Sequence, residues 1–166
     1  MNQPPGMDKL TGTLCLQCGL CCNGVLFGDV RPEAGDRSPL FAGRSRVNQP
    51  CPALNAATCA CTIYTERPAR CRKFECKQLI AVSAGEISAD TALKKIRAAK
   101  KLAAKVERLL GELGFNDTAL PLNRRFKRCQ RAAETGGLAA EQFDTLADLQ
   151  LAVHELTLLL AKDFYS

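Results

Sequence analysis

Cysteines dominate the chemistry available to this chain. It has 166 residues and ten cysteines, and nine of the cysteines fall between Cys15 and Cys76. Two-residue gaps between cysteines let the chain turn tightly, so that neighbouring sulfurs can converge on one ion. Thiolates are soft ligands, and four of them around one centre suit zinc or iron–sulfur chemistry. The nine form two groups: Cys15, Cys18, Cys21 and Cys22, and then Cys51, Cys59, Cys61, Cys71 and Cys76.

The adjacent pair Cys21 and Cys22 needs a separate interpretation. Neighbouring side chains point apart in most backbones, so this pair more naturally serves two centres, or bridges them, than shares one ion. Gly19 and Gly24 flank the group and would ease the tight turns that such a cluster needs, because glycine adopts positive φ without steric cost.

Metal is favoured over disulfides as the chemistry of these cysteines. The N-terminus has no basic region followed by an apolar run, so we expect no signal peptide. No apolar stretch approaches the length needed to cross a bilayer, so we expect no membrane contact. A chain that stays in the cytoplasm meets a reducing environment in which structural disulfides are rare.

The fold predicted from these patterns is mostly α. Residues 1–13 are expected to be a disordered lead-in. Residues 14–82 are expected to form an irregular, cysteine-rich module that metal stabilises, because tryptophan is absent and aromatic residues are few. Residues 83–166 are expected to form a helical hairpin or small bundle packed on that module.

Three helices are predicted in the C-terminal half, at residues 88–113, 122–134 and 138–162. Ser88 is the expected N-cap of the first, and apolar residues recur at helical spacing in both long segments. The first long helix is basic, whereas the second carries Glu141, Asp144, Asp148 and Glu155. Antiparallel packing would therefore bring opposite charges together beside the apolar seam.

Local structure in the N-terminal half is harder to predict. The apolar stretches at residues 25–27 and 62–64 are typical of short strands. Residues 31–50 contain repeated Pro and Gly and indicate a loop. Pro68 suits the first turn of a short helix that ends near Cys76.

The cysteine pattern resembles a known family. Cys15-x2-Cys18-x2-Cys21-Cys22, then Pro50-Cys51, then the segment from Cys61 through Ile63-Tyr64, Arg67-Pro68 and Cys71 to Cys76, is similar to the CxxCxxCC family of zinc- or iron-chelating domains. The resemblance spans roughly residues 14–77. It implies a small bacterial protein with a cysteine-bound metal. The family's eight cysteines correspond here to Cys15, Cys18, Cys21, Cys22, Cys51, Cys61, Cys71 and Cys76.

Several residues outside that ligand set also have expected roles. Arg67 and Arg72 lie inside the family-like motif and could offset thiolate charge and donate hydrogen bonds to sulfur; the alternative is ordinary surface arginine. Tyr64 is expected to pack over the site. Cys59 stands outside the pattern, as a free thiol or a replacement ligand. Cys129 is expected to be structural rather than reactive, and His154 to be an ordinary helix residue.

The metal and the function remain open at this point. Zinc is favoured, with a [4Fe–4S] cluster or iron as the alternative, because three close cysteines and a remote Cys51-Pro52 resemble a ferredoxin arrangement. Closed four-sulfur sites argue against hydrolytic catalysis, so a structural or binding module with a protein partner is preferred over an enzyme. The alternatives are an iron–sulfur redox or enzyme-accessory protein and a weak nucleic-acid binder that uses basic residues 94–131.

Overall fold

The computed structural model describes residues 14–165. The expected lead-in at residues 1–13 lies outside this range. Helices dominate, as predicted, and the strands are only two residues long. In chain order the elements are α1 (helical at residues 14–18), β1 (Asp29–Val30), β2 (Val47–Asn48), β3 (Leu54–Asn55), β4 (Ala60–Cys61), α2 (Ala69–Lys73), α3 (Lys77–Ser83), α4 (Ala89–Glu112), α5 (Leu122–Glu134) and α6 (Phe143–Asp163).

Two small antiparallel pairings shape the cysteine-rich region. Strand β1 pairs with β2, and β3 pairs with β4. Short 3-10 turns at Pro39–Phe41 and Tyr64–Glu66 fill the intervening segments. The strands predicted at residues 25–27 and 62–64 are absent from these positions, since the real strands lie nearby but outside both stretches. Residues 25–27 bend instead, because the Leu26 N–H bonds to the Leu20 carbonyl at 3.0 Å and the side chain is buried.

The predicted C-terminal helices are largely confirmed. Helix α4 begins after Ser88, whose hydroxyl accepts a hydrogen bond from the Thr91 N–H at 3.1 Å. Helix α5 has the predicted bounds. Helix α6 begins later than predicted, at Phe143, because Ala140–Gln142 forms a 3-10 turn that the Gln142 side chain stabilises by accepting the Ala139 N–H.

Helices α4 and α6 form the predicted antiparallel hairpin. Their facing sides bury small and branched apolar residues, including Ala99, Val106 and Leu149. Lys95 pairs with Asp163 at 2.8 Å, and Lys105 pairs with Glu155 at 3.9 Å. The lysine on α4 moves ten residues towards the C-terminus between these two pairs, whereas its partner moves eight residues towards the N-terminus. The two helices therefore run antiparallel.

The cysteine-rich region shares one core with this hairpin. Leu14, Cys18, Leu20 and Leu26 belong to the same buried cluster as the inner faces of α4 and α6. Polar contacts join the two parts as well: the Lys100 ammonium donates to the Gln17 carbonyl, the Tyr165 hydroxyl to Leu26, and the Lys77 N–H to Phe164. A segment with few apolar residues is therefore held partly by the surface of the helices.

No helix within residues 14–165 combines the length and the apolar character that crossing a membrane requires.

Gly24 marks a tight approach between the cysteine-rich region and α5. Its carbonyl accepts the Leu122 N–H at 3.2 Å, its φ is 91°, and a Cβ there would lie 3.0 Å from Pro121 Cα. We expect Gly24→Ala to lower the free energy of unfolding by about 2–4 kcal/mol, the sum of left-handed strain and overpacking. Urea denaturation of the metal-loaded protein measures this.

Gly43→Ala is the matched control. Gly43 also has positive φ, at 68°, but no atom of residues 14–165 lies within 4 Å of the position that a Cβ would take there. The substitution should lower the free energy of unfolding only by the backbone strain, about 1–2 kcal/mol. Equal losses for the two variants would contradict a close packing role for Gly24.

Candidate metal centre

The first cysteine group is held by a tight turn at the end of α1. Cys15 and Cys18 lie on α1, and the chain then reverses at Gly19, whose φ is 70°. The Gly19 N–H bonds to the Cys15 carbonyl, and the Gly19 carbonyl accepts the N–H groups of Cys22 and Asn23, both at 3.0 Å. The Leu20 N–H bonds to the Cys18 thiol. Backbone donors aimed at sulfur are what a thiolate ligand requires.

A second turn brings Cys51 to Cys22. The Cys51 N–H donates to the Cys22 carbonyl at 2.7 Å, so two residues far apart in sequence become neighbours. The N–H groups of Ala53 and Leu54 then bond to the Cys51 thiol. Leu54 lies opposite Cys61 in the β3–β4 pair, which places Cys61 beside the same turn.

Short helices supply the last two cysteines. Cys71 lies on α2, and Cys76 is the N-cap of α3. The Asp36 carboxylate fixes the start of α2 by accepting the Ala69 N–H at 2.9 Å, and it also accepts the Ser38 N–H at 3.1 Å. Slight desolvation raises the pKa of Asp36, but these hydrogen bonds and the nearby Arg72 charge lower it below its usual value overall.

Four thiols influence one another at the α1 turn: Cys15, Cys18, Cys21 and Cys76, here named the first thiol group. Burial raises the pKa of Cys18 to about 12, with Cys76 and Cys15 adding to the increase. Burial likewise raises the pKa of Cys21, as do Cys18, Cys76 and Cys15. Cys15 is exposed on one side, but packing on its other side raises its pKa, and Cys76 raises it further.

Four other thiols make a second thiol group: Cys22, Cys51, Cys61 and Cys71. Burial raises the pKa of Cys22 to about 12, and Cys51, Cys71 and Cys61 contribute in that order. Burial also raises the pKa of Cys71 to about 11, with contributions from Cys51 and Cys61. Each thiol of this group is half-buried.

The adjacent pair is therefore divided between the two groups. Cys21 is coupled mainly to Cys18, Cys22 and Cys76, whereas Cys22 is coupled mainly to Cys51, Cys71 and Cys61. The groups still influence each other, since Cys15 adds to the pKa increase of Cys22. By these contributions the eight sulfurs divide into two neighbouring sets of four.

Arg67 lies within reach of both groups. Its charge lowers the pKa of Cys15 and that of Cys71 against the larger effect of burial. Its guanidinium carbon stacks 3.9 Å from the centre of the Tyr64 ring, and its Nε–H is buried without a hydrogen-bond partner among residues 14–165. An unpaired buried donor near these thiols fits a site in which their sulfurs become negatively charged.

Arg72 and Tyr64 both contact Arg67. The Arg72 guanidinium donates to the Arg67 carbonyl at 2.6 Å and lies near Asp36. Tyr64 is half exposed and contacts the site through Arg67.

The remaining singled-out residues lie outside both groups. The Cys59 sulfur rests against the turn at Gly19, 3.1 Å from where a Gly19 Cβ would be, and Cys59 itself has a positive φ of 54°. Cys129 is fully buried on α5, an environment that agrees with the structural role expected for it. His154 is exposed on α6.

Three further residues reach the thiols without any signal in the sequence. Lys100 of α4 lowers the pKa of Cys18, opposing burial. The Tyr165 hydroxyl lies near Cys21, and Asp36 influences Cys71. Lys100 belongs to a basic stretch that looks like a solvated helix face, and only the docking of α4 on α1 brings it to the sulfurs.

The donor set fits soft metal ions. Every cysteine in the described part of the chain is a free thiol, and eight of them lie in two sets of four, the number that a tetrahedral tetrathiolate ion takes. Within residues 14–165 no three potential ligands are already closed around a common point. Ion binding would therefore draw each set together as the thiols lose their protons.

One cavity on the described surface is small and open for an organic ligand. It has a volume of about 220 Å³, is open to solvent, and is lined by Pro39, Leu40, Ala42, Arg44 and Ile63. Pockets for small organic ligands usually have about 300–1,000 Å³ and are more enclosed. None of its lining residues is a cysteine of either thiol group.

Comparison with known families gives one match. The model of the CxxCxxCC family, described as "Putative zinc- or iron-chelating domain", matches residues 14–96, half of the chain. The match extends beyond the cysteines through α3 and into α4. No match to this chain is found among curated proteins or among solved structures.

Metal binding should be strongly coupled to protons. Thiols with pKa values of about 11–12 are protonated at neutral pH, so each ion held by four thiolates must displace roughly four protons. We expect affinity to fall as pH falls, by up to about 10⁴-fold per pH unit. Competition with a chromophoric chelator at about pH 6.5 and 7.5 measures this, with an indicator dye to count protons. Release of fewer than about two protons per ion would contradict thiol ligation.

Proposed function

Because the chain belongs to the CxxCxxCC family of zinc- or iron-chelating domains, we propose that it binds two zinc ions, each through four cysteine thiolates. Cys15, Cys18, Cys21 and Cys76 hold one ion, and Cys22, Cys51, Cys61 and Cys71 hold the other. The ions have a structural role: they fix the irregular region before α4 so that the folded surface can serve as a binding module for a protein partner.

The division of Cys21 from Cys22 is the observation that carries this proposal. Two sets of four mutually influencing sulfurs supply the number of ligands that two tetrahedral ions would take. A four-sulfur shell leaves no open position for water or substrate, so the ion contributes stability rather than catalysis.

Zinc is proposed over an iron–sulfur cluster on the placement of Cys51. In the ferredoxin arrangement, a remote cysteine followed by proline completes the set begun by three closely spaced cysteines. Here Cys51, which precedes Pro52, lies with Cys22 in the second thiol group, and Cys76 joins the closely spaced set instead. Iron in the same positions is the alternative that metal analysis distinguishes.

Arg67 is proposed to stabilise the loaded sites. Four thiolates around one divalent ion leave a charge of about −2, and the Arg67 guanidinium within reach of both groups offsets part of it. Its unpaired Nε–H would donate to a sulfur. Arg72 would act indirectly, because its guanidinium holds the Arg67 backbone carbonyl.

A protein is the partner that we propose, with nucleic acid bound weakly at most. The basic residues of α4 and α5 are partly neutralised within the chain, because Lys95, Lys105 and Arg128 pair with acidic residues. Such exposed pairs stabilise the fold by only about 0–1 kcal/mol each, but they reduce the attraction to phosphate. Free thiols and thiolate sites are suited to a reducing compartment, and the cytoplasm is the proposed location.

The metal inventory tests the proposal. Anaerobically purified protein should contain close to two zinc ions per chain by elemental analysis, with no strong absorbance near ~400 nm. Serine at any one of the eight proposed ligands should lower the zinc content by about one ion, because a hydroxyl is a poor soft-metal ligand.

Cys129→Ser is the control and should leave the zinc content unchanged, although it alters a buried position. Cys59→Ser should also retain two ions. A brown protein containing iron and acid-labile sulfide would contradict the zinc assignment, and disulfides among these cysteines in freshly prepared protein would contradict metal ligation altogether.

Removal of the metal should affect the two halves of the chain differently. Eight thiols, seven of them buried or half-buried, and few apolar residues leave the segment before α4 without enough stabilisation to offset its conformational entropy. We expect a strong chelator to abolish amide hydrogen-exchange protection at residues 20–76. Most of the helical circular dichroism from α4, α5 and α6 should remain.

Readdition of zinc should restore protection. Retention of full protection at residues 20–76 after complete zinc removal would show that the metal is not structural.

A further inference from the structure

Helix α6 has a second apolar face that the rest of residues 14–165 does not cover. Its inner face, which includes Leu149 and Leu156, is buried against α4. On the opposite side, Leu151 and Leu158 are 55% and 57% exposed. A helix that is apolar on two opposite sides differs from an ordinary surface helix, which is polar on its outer side.

The exposed face follows the spacing of a coiled-coil seam. Ala147, Leu151, His154, Leu158 and Ala161 are separated by four, three, four and three residues, and all five are exposed. Alternating gaps of three and four residues keep side chains on one stripe facing a second helix. Here that stripe, which we name the outer seam, lies opposite the buried face.

The order of residue types in the outer seam is the same in both directions, and the two leucines lie three and four residues from its central residue. His154 is at its centre, a leucine flanks it on each side, and an alanine follows each leucine. When two copies of α6 lie antiparallel with the His154 residues opposite each other, Leu151 meets Leu158 of the other copy and Ala147 meets Ala161. A surface that is complementary to itself under a two-fold rotation is what a symmetric dimer requires.

The charges beside the outer seam fit the same pairing. Asp148 and Lys162 lie on one edge of the seam, equally far from its centre within about two residues, and neither forms an ion pair within residues 14–165. In the antiparallel dimer Asp148 of each copy lies next to Lys162 of the other copy, so two such ion pairs form. In a parallel dimer these two positions lie about 21 Å apart along the axis and never meet.

The other edge is neutral, and the central acidic residue is already compensated. Gln150 and Thr157 lie on the second edge. Glu155, which would face its own copy, pairs with Lys105 of its own chain. An anionic membrane is a poor occupant, because helices that lie on such membranes carry Lys and Arg beside the apolar face, whereas α6 carries Asp144, Asp148 and Glu155 there.

We propose that this protein forms a two-fold symmetric dimer through antiparallel pairing of the outer seams of α6. The partner is a second copy of the same chain, and the contact is independent of the metal sites. Two helices of 21 residues bury less surface than a large obligate interface, so the dissociation constant should be on the order of micromolar.

Sedimentation velocity of the metal-loaded protein, in reducing buffer from about 1 to about 200 μM, tests the proposal. The mass should rise with concentration from 18.0 kDa towards twice that value. The double variant L151K/L158K places four like charges in the seam and should weaken association by at least about 100-fold. Zinc content and helical circular dichroism should not change, which separates lost association from lost folding.

Ile80→Lys is the matched control. Ile80 is 43% exposed on α3, outside the seam, and its substitution should leave association unchanged. A wild-type protein that is monomeric throughout this range would overturn the proposal. So would a dimer that survives L151K/L158K, because another surface would then hold the copies together.

Charge reversal tests the orientation. Asp148→Lys and Lys162→Asp should each weaken the homodimer, because each places two like-charged pairs at its ends. Mixed in equal amounts, with one carrying an affinity tag, the two variants should associate with each other more tightly than either does with itself, because an opposite-charge pair is regained on each side where unlike variants meet. Failure of the mixture to associate better than either variant alone would overturn the antiparallel arrangement.

Discussion

The peptide bond between Cys21 and Cys22 constrains the whole cysteine-rich region. Two sulfurs on adjacent residues cannot easily face the same point, so the backbone directs one towards α1 and α3 and the other towards the β3–β4 pair and α2. The Gly19 turn makes this possible, because its carbonyl accepts the N–H groups of both Cys22 and Asn23. The Cys51 N–H then bonds to the Cys22 carbonyl. Displacement of this turn would alter both thiol groups at once.

The C-terminal helices provide the cysteine-rich region with both a hydrophobic core and polar contacts. Leu14, Leu20 and Leu26 reach the core that α4 and α6 build, so the cysteine-rich region does not need a core of its own. Polar contacts from Lys100 and Tyr165 extend from the same half of the chain to residues beside the thiols. The family match agrees with this dependence, since it continues past the last cysteine of the two thiol groups into α4. The helical half is thus part of the environment of the metal centre.

The sequence predicts the helical half well because its signals are local. Hydrophobic spacing and the Ser88 cap act within one helix, and they locate α4 and α5 closely. The start of α6 was harder, since a 3-10 turn at Ala140–Gln142 continues the same spacing without being α-helical. The strands predicted at 25–27 and 62–64 were wrong because these short apolar stretches lie in bends and turns instead. Local composition does not distinguish a short strand from a bend or a turn.

The candidate site is predictable only in part. Residue types and gaps in the sequence indicate metal binding, and the adjacency of Cys21 and Cys22 suggests two centres. Which cysteines accompany each of them depends on long-range contacts such as that between Cys51 and Cys22, which no spacing rule contains. The position of Arg67 between the groups, and of Arg72 beside it, likewise follows from the turn that leads into α2.

The charge of the chain is tied to the same sulfurs. With two tetrathiolate sites of about −2 each, the loaded protein would be much less positive than its formal +6. Lys100 and Arg67, both close to the thiols, then balance the sulfur charge locally. In the proposed metal-loaded state, part of the basic excess would therefore act inside the molecule, next to the sulfurs.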